Sequence, residues 1–174
     1  MITSLENKTV KELTKLHQKK YRGDRFLLTE EKLVKQAFQS GYLKQLVFTG
    51  EAPFPFEDVL EVSQEVLDKI AKVPGKRYIG VSATVREVFE PGKRVILLDH
   101  LQDPLNIGRI MEGMLHFGFD SLVLSEDCAD ICNEKCLWNC YGGIYTLHIC
   151  TGNLIEKIAE LKQKGFAVYA TGLR

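Results

Sequence analysis

Residues 95–171 alternate between short apolar strands and amphipathic helices, and this order restricts the fold more than any other feature of the chain. The first strand, VILLD at 95–99, is a continuous apolar run, which is typical of a parallel strand covered on both faces. Such alternation predicts an open, mostly parallel α/β sheet with any ligand at the carboxyl ends of its strands. Further strands are predicted at 121–125, 144–149 and 166–171, and helices at 106–117, 133–140 and 153–165.

Residues 1–85 have the pattern of a smaller α/β unit. The second of its helices has Leu33, Val34, Ala37 and Phe38 at helical spacing, which predicts that they face inward. Helices are predicted at 5–20, 30–41 and within 56–72, and strands at 26–29, 43–50 and 76–85. Residues 86–94 contain Pro91-Gly92 between charged residues, so we interpret them as a linker to a second domain at 95–174.

The turn DPLNIG at 103–108 is the best candidate for a site, because it joins a strand end to a helix start. Asn106 is suited to cap the helix, and Gly108 would let another group approach the backbone of the first turn. Free N–H groups at such a start favour an anion or a polar sugar edge. Glu112 lies off the predicted apolar stripe of this helix and is expected to face solvent or a cleft. An ordinary capped helix with an exposed glutamate remains the alternative.

The charges are distributed unevenly, although the net charge is zero. Residues 1–50 carry ten Lys and Arg against five Asp and Glu, whereas the remaining residues carry thirteen against eighteen. A basic front half indicates either an anionic partner such as RNA or a solvated helix face. The candidates for RNA contact are Lys19, Lys20, Arg22 and Arg25 in the basic turn KKYRGDR, together with Gly108 at the helix start.

Other kinds of site have little support. Neither a phosphate-binding P-loop nor a G-x-G-x-x-G fingerprint occurs. Four of the five cysteines recur every fourth residue from Cys128 to Cys140, which on one helix spans about 18 Å, too far for one metal ion. We therefore predict no metal, and buried, reduced cysteines. The N-terminus lacks the apolar core of a signal peptide, and no apolar run reaches the length of a membrane span, so a cytoplasmic protein is expected.

Three stretches together resemble the SpoU/TrmH-type RNA 2′-O-ribose methyltransferases of the SPOUT superfamily. Residues 97–125 are similar to that family's strand, D-P-x-N-x-G turn and helix, and residues 135–149 to its next block. Residues 4–38 look like the small RNA-binding domain that precedes the catalytic domain in many members. The resemblance implies a knotted parallel sheet, S-adenosylmethionine as methyl donor, rRNA or tRNA as substrate, and a homodimer. It assigns Asn106 to the catalytic turn and Ala170 and Thr171 to the near wall of the donor pocket.

The chain departs from this family in three places. Glu112 occupies the position of an arginine that is thought to help the ribose hydroxyl react, and a carboxylate cannot stabilise a developing alkoxide. In the second block, residues 138–142 keep only Gly142 of the R-x-S-x-G pattern. The sequence ends at YATGLR, before the loop and the knot segment that complete the pocket. We therefore expect an incomplete SPOUT-type domain without the knot.

Three functions remain open from these patterns. The first is an RNA 2′-O-methyltransferase with weak or no activity. The second is a non-catalytic RNA-binding protein on the same scaffold, which the acidic residue at position 112 favours. The third is an unrelated small-molecule binder, because doubly wound sheets support many functions.

Overall fold

The computed structural model describes residues 1–85 and 87–172, and its strands form two separate sheets. The first unit contains α1 (Lys8–Lys15), β1 (Arg25–Leu28), α2 (Glu31–Gln39), β2 (Leu43–Phe48), β3 (Val59–Glu61), α3 (Gln64–Ala71) and β4 (Tyr78–Ala83). The second contains β5 (Val95–Leu98), α4 (Pro104–Phe117), β6 (Ser121–Leu124), α5 (Glu134–Asn139), α6 (Gly143–Thr146), β7 (His148–Thr151) and α7 (Leu154–Gln163). A single 3₁₀ turn, Lys19–Tyr21, follows α1.

The first sheet is mixed and has the order β1-β4-β2-β3, in which β4 runs antiparallel to both neighbours and β3 runs parallel to β2. The sequence did not predict β3, because this strand has only three residues. One of them, Glu61, is charged, and two of the three are exposed. Helices α1 and α3 pack together and share a core that includes Leu13 and Ile70. Helix α2 buries three of its four predicted inward residues, whereas Phe38 was wrongly predicted and is 41% exposed. The Phe38 ring stacks instead on the ring of Phe54, with the two centroids 4.5 Å apart.

The second sheet is parallel throughout, which confirms the predicted α/β class. Its order is β5-β6-β7, so the central strand β6 is buried at all four residues. The prediction that 95–99 is covered on both faces was wrong, because β5 is half-buried along its whole length. In the described sheet, β5 is an edge strand with a neighbouring strand on one side only, so water reaches its side chains from the open edge.

Two predicted strands differ in the structure. The strand expected at 144–149 begins instead with helix α6 and becomes β7 only at His148. Residues 166–171 form no regular secondary structure, and Tyr169 is 88% exposed. Phe166 donates its N–H to the Leu161 carbonyl at the end of α7, and no ladder pairing follows among the described residues. An apolar segment becomes a strand only where another strand satisfies its backbone.

The two units share one hydrophobic cluster, and the front unit has a second core of its own between its sheet and helices α1 and α3. Phe26 and Leu28 of β1 belong to the same cluster as Met111 of α4 and Leu137 of α5. This shared cluster holds the basic front unit against the side of the second sheet that carries α4 and α5. None of the helices in the described ranges has the length and hydropathy to cross a membrane.

Candidate functional site

The helix start after β5 is organised differently from the prediction. Asp103, not Asn106, is the N-cap of α4, because its side chain accepts the Leu105 N–H at 2.9 Å and Pro104 occupies the first helical position. The capping role predicted for Asn106 is therefore wrong. Asn106 lies in the first turn, and its side chain is exposed. It remains available to contact a ligand.

Gly108 is occupied by protein and is not an open contact. The residue is buried, and a β-carbon at this position would lie 2.6 Å from the Cys136 carbonyl oxygen and 3.0 Å from Asn139 Cβ. The group that approaches the backbone here is therefore α5. The glycine allows α4 and α5 to pack closely, so it supports the site without exposing backbone to RNA.

This packing predicts opposite effects for two glycines of the same helix. Gly108→Ala should lower the free energy of unfolding by about 1–3 kcal/mol, because the added methyl group meets a carbonyl that belongs to a helix. Gly113→Ala is the matched control, since a β-carbon at position 113 would meet nothing within 4 Å. That change should raise stability by about 0.5–1 kcal/mol through helix propensity. Urea unfolding of both variants measures the difference, and equal stabilities would contradict the close contact.

Glu112 is half-buried on α4 and forms no ion pair with the described residues. Its backbone carbonyl accepts a hydrogen bond at 2.9 Å from Nδ1 of His116, one turn later. The His116 ring in turn lies 6.4 Å from the ring of Tyr141. The carboxylate therefore contributes negative charge at the surface that α4 shares with the α5–α6 turn.

The loop between β5 and α4 is held by a second loop, at 125–129. His100 has a φ of 51°, which is uncommon for a residue with a side chain, and donates its N–H to Ser125 Oγ at 2.8 Å. Its ring Nδ1 lies 2.5 Å from Asp127 Oδ2. Hydrogen bonds from Ser125 and then from His100 lower the pKa of the Asp127 carboxyl. These contacts fix the backbone just before Asp103.

Of the four cations predicted to contact RNA, three have side chains that reach solvent and one is engaged within the protein. Lys19 and Lys20 are exposed on the 3₁₀ turn, and Lys20 Nζ lies 4.8 Å from the ring centroid of Tyr21. Arg25 is half-buried on β1. Arg22 is buried, and its guanidinium donates to the carbonyls of Leu16 and His17 and pairs with Asp130 of the second unit. It is therefore engaged within the protein.

Three further polar contacts join the two units. The ring of His17 pairs with the Glu134 carboxylate while its Nε2 lies 2.7 Å from the Ile70 carbonyl oxygen. The indole of Trp138 donates to Thr29 Oγ1 at 3.1 Å, and the Tyr145 hydroxyl donates to Ser82 Oγ at 2.7 Å. Sequence patterns missed these contacts, since their partners are far apart in the chain and no periodicity relates them.

The cysteines fit the prediction only in part. All five are free, and Cys136, Cys140 and Cys150 are buried, but Cys128 and Cys132 are half-buried. Burial raises the pKa of Cys132 to about 12 and also raises that of Cys136. Neutral thiols are poor metal ligands and poor nucleophiles. Within the described residues, no group of His, Cys, Asp or Glu is arranged to hold a metal ion.

The residues assigned to the methyl donor do not form a pocket in the described part of the chain. Ala170 and Thr171 are exposed and lie in the segment without regular structure. A cavity of about 240 Å³ lies elsewhere, at the carboxyl ends of β6 and β7, where Lys19, Glu87 and Ser125 line it. Its other polar groups include Glu126 and Asp130. The two assigned residues therefore do not enclose a ligand of the size of S-adenosylmethionine.

Comparisons with known proteins agree on one kind of relative. Residues 93–174 match the model of a family described as the SpoU rRNA Methylase family. The 23S rRNA (guanosine(2553)-2′-O)-methyltransferase RlmP of Bacillus subtilis is 30% identical over 182 residues, which cover 99% of this chain and 73% of that protein.

Solved structures show the same likeness in three dimensions. An rRNA methyltransferase from Sinorhizobium meliloti superposes with a TM-score of 0.81 and 25% identity, covering 92% of this chain and 68% of that one. A structure described as the AdoMet-bound rRNA methyltransferase of the same organism has a TM-score of 0.78 at 24% identity, covering 92% of this chain and 67% of that one. The fold of both units is thus shared with these proteins.

Proposed function

Because the chain belongs to the SpoU rRNA methylase family of RNA 2′-O-methyltransferases, we propose that it recognises ribosomal RNA at the start of α4 and transfers methyl groups weakly or not at all. The observation that carries this proposal is the contrast between two residues of that helix. Asn106 is exposed at a helix start that the Asp103 cap and the His100 loop hold in place. Glu112, six residues later, is a carboxylate that forms no ion pair with any described residue.

The weak activity follows from the charge at position 112. A ribose 2′-hydroxyl that attacks a methyl group must lose its proton, and the developing oxyanion is stabilised by nearby positive charge. The resemblance puts an arginine at this position, whereas Glu112 would repel both the oxyanion and the adjacent phosphates. Under this proposal the Asn106 turn binds and orients a ribose, but the chain supplies no cation from position 112.

S-adenosylmethionine is the proposed methyl donor, and the AdoMet-bound relative from Sinorhizobium meliloti supports it. It would supply an electrophilic methyl group when bound. Ala170 and Thr171, which the resemblance assigns to the near wall of the donor pocket, are exposed and therefore accessible to the donor. An rRNA substrate also supports the expected cytoplasmic location. The homodimer that the resemblance implies stays a prediction.

A direct assay tests the activity. The chain is incubated with tritiated S-adenosylmethionine and a transcribed 23S rRNA fragment that contains guanosine 2553, the nucleotide named for the Bacillus subtilis relative. We expect RNA binding without measurable transfer. Robust turnover would contradict the weak-activity part of the proposal, and a chain that binds no RNA at any salt concentration would contradict the whole of it. Binding without transfer is also what the alternative, a non-catalytic RNA-binding protein, requires, and Glu112 favours it.

The exposed cations of the front unit supply a second test. Replacing Lys19 and Lys20 together with glutamate should weaken binding of the rRNA fragment by about tenfold or more, and should reduce the slope of log K against log salt. The control is the same double change at Lys162 and Lys164, which are exposed on and just after α7. Arg22 is left unchanged because its change would disrupt the contact between the units. Equal losses in both variants would show that only net charge matters.

A further inference from the structure

Two large aromatic side chains are exposed within three residues of each other. Trp138 is 44% exposed near the end of α5, and Tyr141 is 58% exposed in the turn that leads to α6. Tyr141 also has a φ of 54°, in the left-handed region that a bulky residue seldom adopts. Side chains in such conformations are held there by their surroundings, and they cluster at ligand sites.

Both aromatic rings are fixed by the start of α2, although neither ring is buried. Trp138 uses its Nε1–H to reach Thr29, two residues before the helix. Lys32, in the first turn, places its Nζ 4.2 Å from the ring centroid of Tyr141. One turn further along α2, Gln36 lies against Gly142, so the turn that carries Tyr141 is held at its backbone as well. The two side chains are therefore oriented while much of their surface stays in water.

This aromatic pair adjoins the helix start described above. Asn139, between the two aromatic residues, is the residue whose Cβ lies against Gly108. Tyr141 approaches the His116 ring on the same helix as Glu112. The pair thus borders α4, because Asn139 lies against its second turn and Tyr141 lies near its last turn.

The unpaired charges of α2 and α5 around the aromatic pair are positive, whereas Glu112 of α4 adds one negative charge to this surface. Glu30 and Glu31 at the start of α2 are paired with Lys76 at 2.9 Å and Arg77 at 3.9 Å, and Glu134 on α5 is paired with His17. By contrast, three lysines of α2 and α5 are exposed and form no ion pair within the described ranges. They are Lys32, Lys35 and Lys135.

We propose that Trp138 and Tyr141 form a base-stacking surface for unpaired RNA nucleotides that flank the ribose held at the start of α4. Aromatic rings accept bases of any sequence by stacking, and neighbouring lysines bind the phosphates. A protein partner would be a less suitable occupant, because exposed lysines surround the rings and protein interfaces are depleted in lysine. The inference deepens the proposed function and rests on it.

Trp138 is the only tryptophan of the chain, so its fluorescence reports on this surface alone. The protein is titrated with the single-stranded rRNA fragment and, separately, with the same fragment fully paired to its complement. Binding is measured independently by the anisotropy of a fluorescein label on each RNA. We expect the single strand to quench Trp138 as it binds and the duplex to leave the emission nearly unchanged.

Variants of Tyr141 test the second ring. Tyr141→Asn removes the ring but keeps a residue that tolerates positive φ, and it should raise the Kd for the single strand about tenfold. Tyr141→Phe should bind like the wild type because it keeps the stacking face. Tyr169→Asn is the matched control, since Tyr169 is 88% exposed far along the chain and should have no effect. Equal thermal melting of the variants excludes a change in folding as the cause.

The outcomes separate the two proposals. RNA that binds by anisotropy without quenching Trp138, or with equal Kd for Tyr141→Asn and Tyr169→Asn, would overturn the stacking surface but not RNA recognition, and would leave the rings to a protein partner. Equal quenching by duplex and single strand would overturn the specificity for unpaired bases. Absence of RNA binding would overturn both proposals.

Discussion

Replacing Arg22 with alanine should lower the free energy of unfolding by about 3 kcal/mol, the cost of removing one partner from a largely buried ion pair. The Arg22 side chain is 9% exposed and that of Asp130 is 23% exposed. Two carbonyls, those of Leu16 and His17, would also lose their guanidinium donors. For a chain of this size, such a loss corresponds to a fall in Tm of about 6–12 °C.

The size of the effect comes from what is left behind. Without Arg22, the Asp130 carboxylate keeps its charge in the junction between the units, where water reaches it only partly. Asp130→Asn in the Arg22→Ala background should therefore recover part of the loss. The recovery distinguishes an unpaired charge from the lost packing of the arginine stem, which the second change cannot restore.

Arg25→Ala is the matched control, because Arg25 is half-buried on β1 and forms no ion pair within the described residues. It should change stability by less than about 0.5 kcal/mol. Thermal unfolding followed by circular dichroism measures all four proteins. Similar losses for Arg22→Ala and Arg25→Ala would contradict the buried pair and would return Arg22 to the RNA-contacting residues.

Arg22 also illustrates why the fold was easier to predict than the site. The parallel order of β5, β6 and β7 follows from apolar runs separated by amphipathic helices, which are local patterns. The role of Arg22 depends on Asp130, 108 residues later. Within KKYRGDR it looks like its neighbours Lys19 and Lys20, and only the packing of the two units distinguishes them.

The start of α4 shows the same limit at shorter range. The sequence located the turn and its glycine, but it could not choose between Asp103 and Asn106 as the cap, because both residue types cap helices well. It also could not show that α5 fills the space beside Gly108. The strand predicted at 166–171 has the right composition but no partner among the described residues, and pairing is a property of the whole sheet.

Glu112→Arg should increase affinity for the rRNA fragment about tenfold at low salt. The substitution replaces an uncompensated negative charge with a positive one at the face where the phosphates are proposed to lie. It should also steepen the dependence of log K on log salt by about one, the signature of one additional phosphate contact. Arginine is a good helix former, so α4 should persist.

Glu112→Gln is the control that separates loss of repulsion from gain of attraction. It removes the carboxylate's charge at nearly constant size, so affinity should rise less than in Glu112→Arg and the salt slope should change little.

Methyl transfer to the same fragment then distinguishes the two functions. If the missing cation limits the reaction, Glu112→Arg should raise the rate from tritiated S-adenosylmethionine at least about tenfold. If affinity rises while transfer stays undetectable, the chain recognises RNA without catalysis. Unchanged affinity in both variants would mean that position 112 does not face the RNA, and the charge argument for weak activity would fail with it.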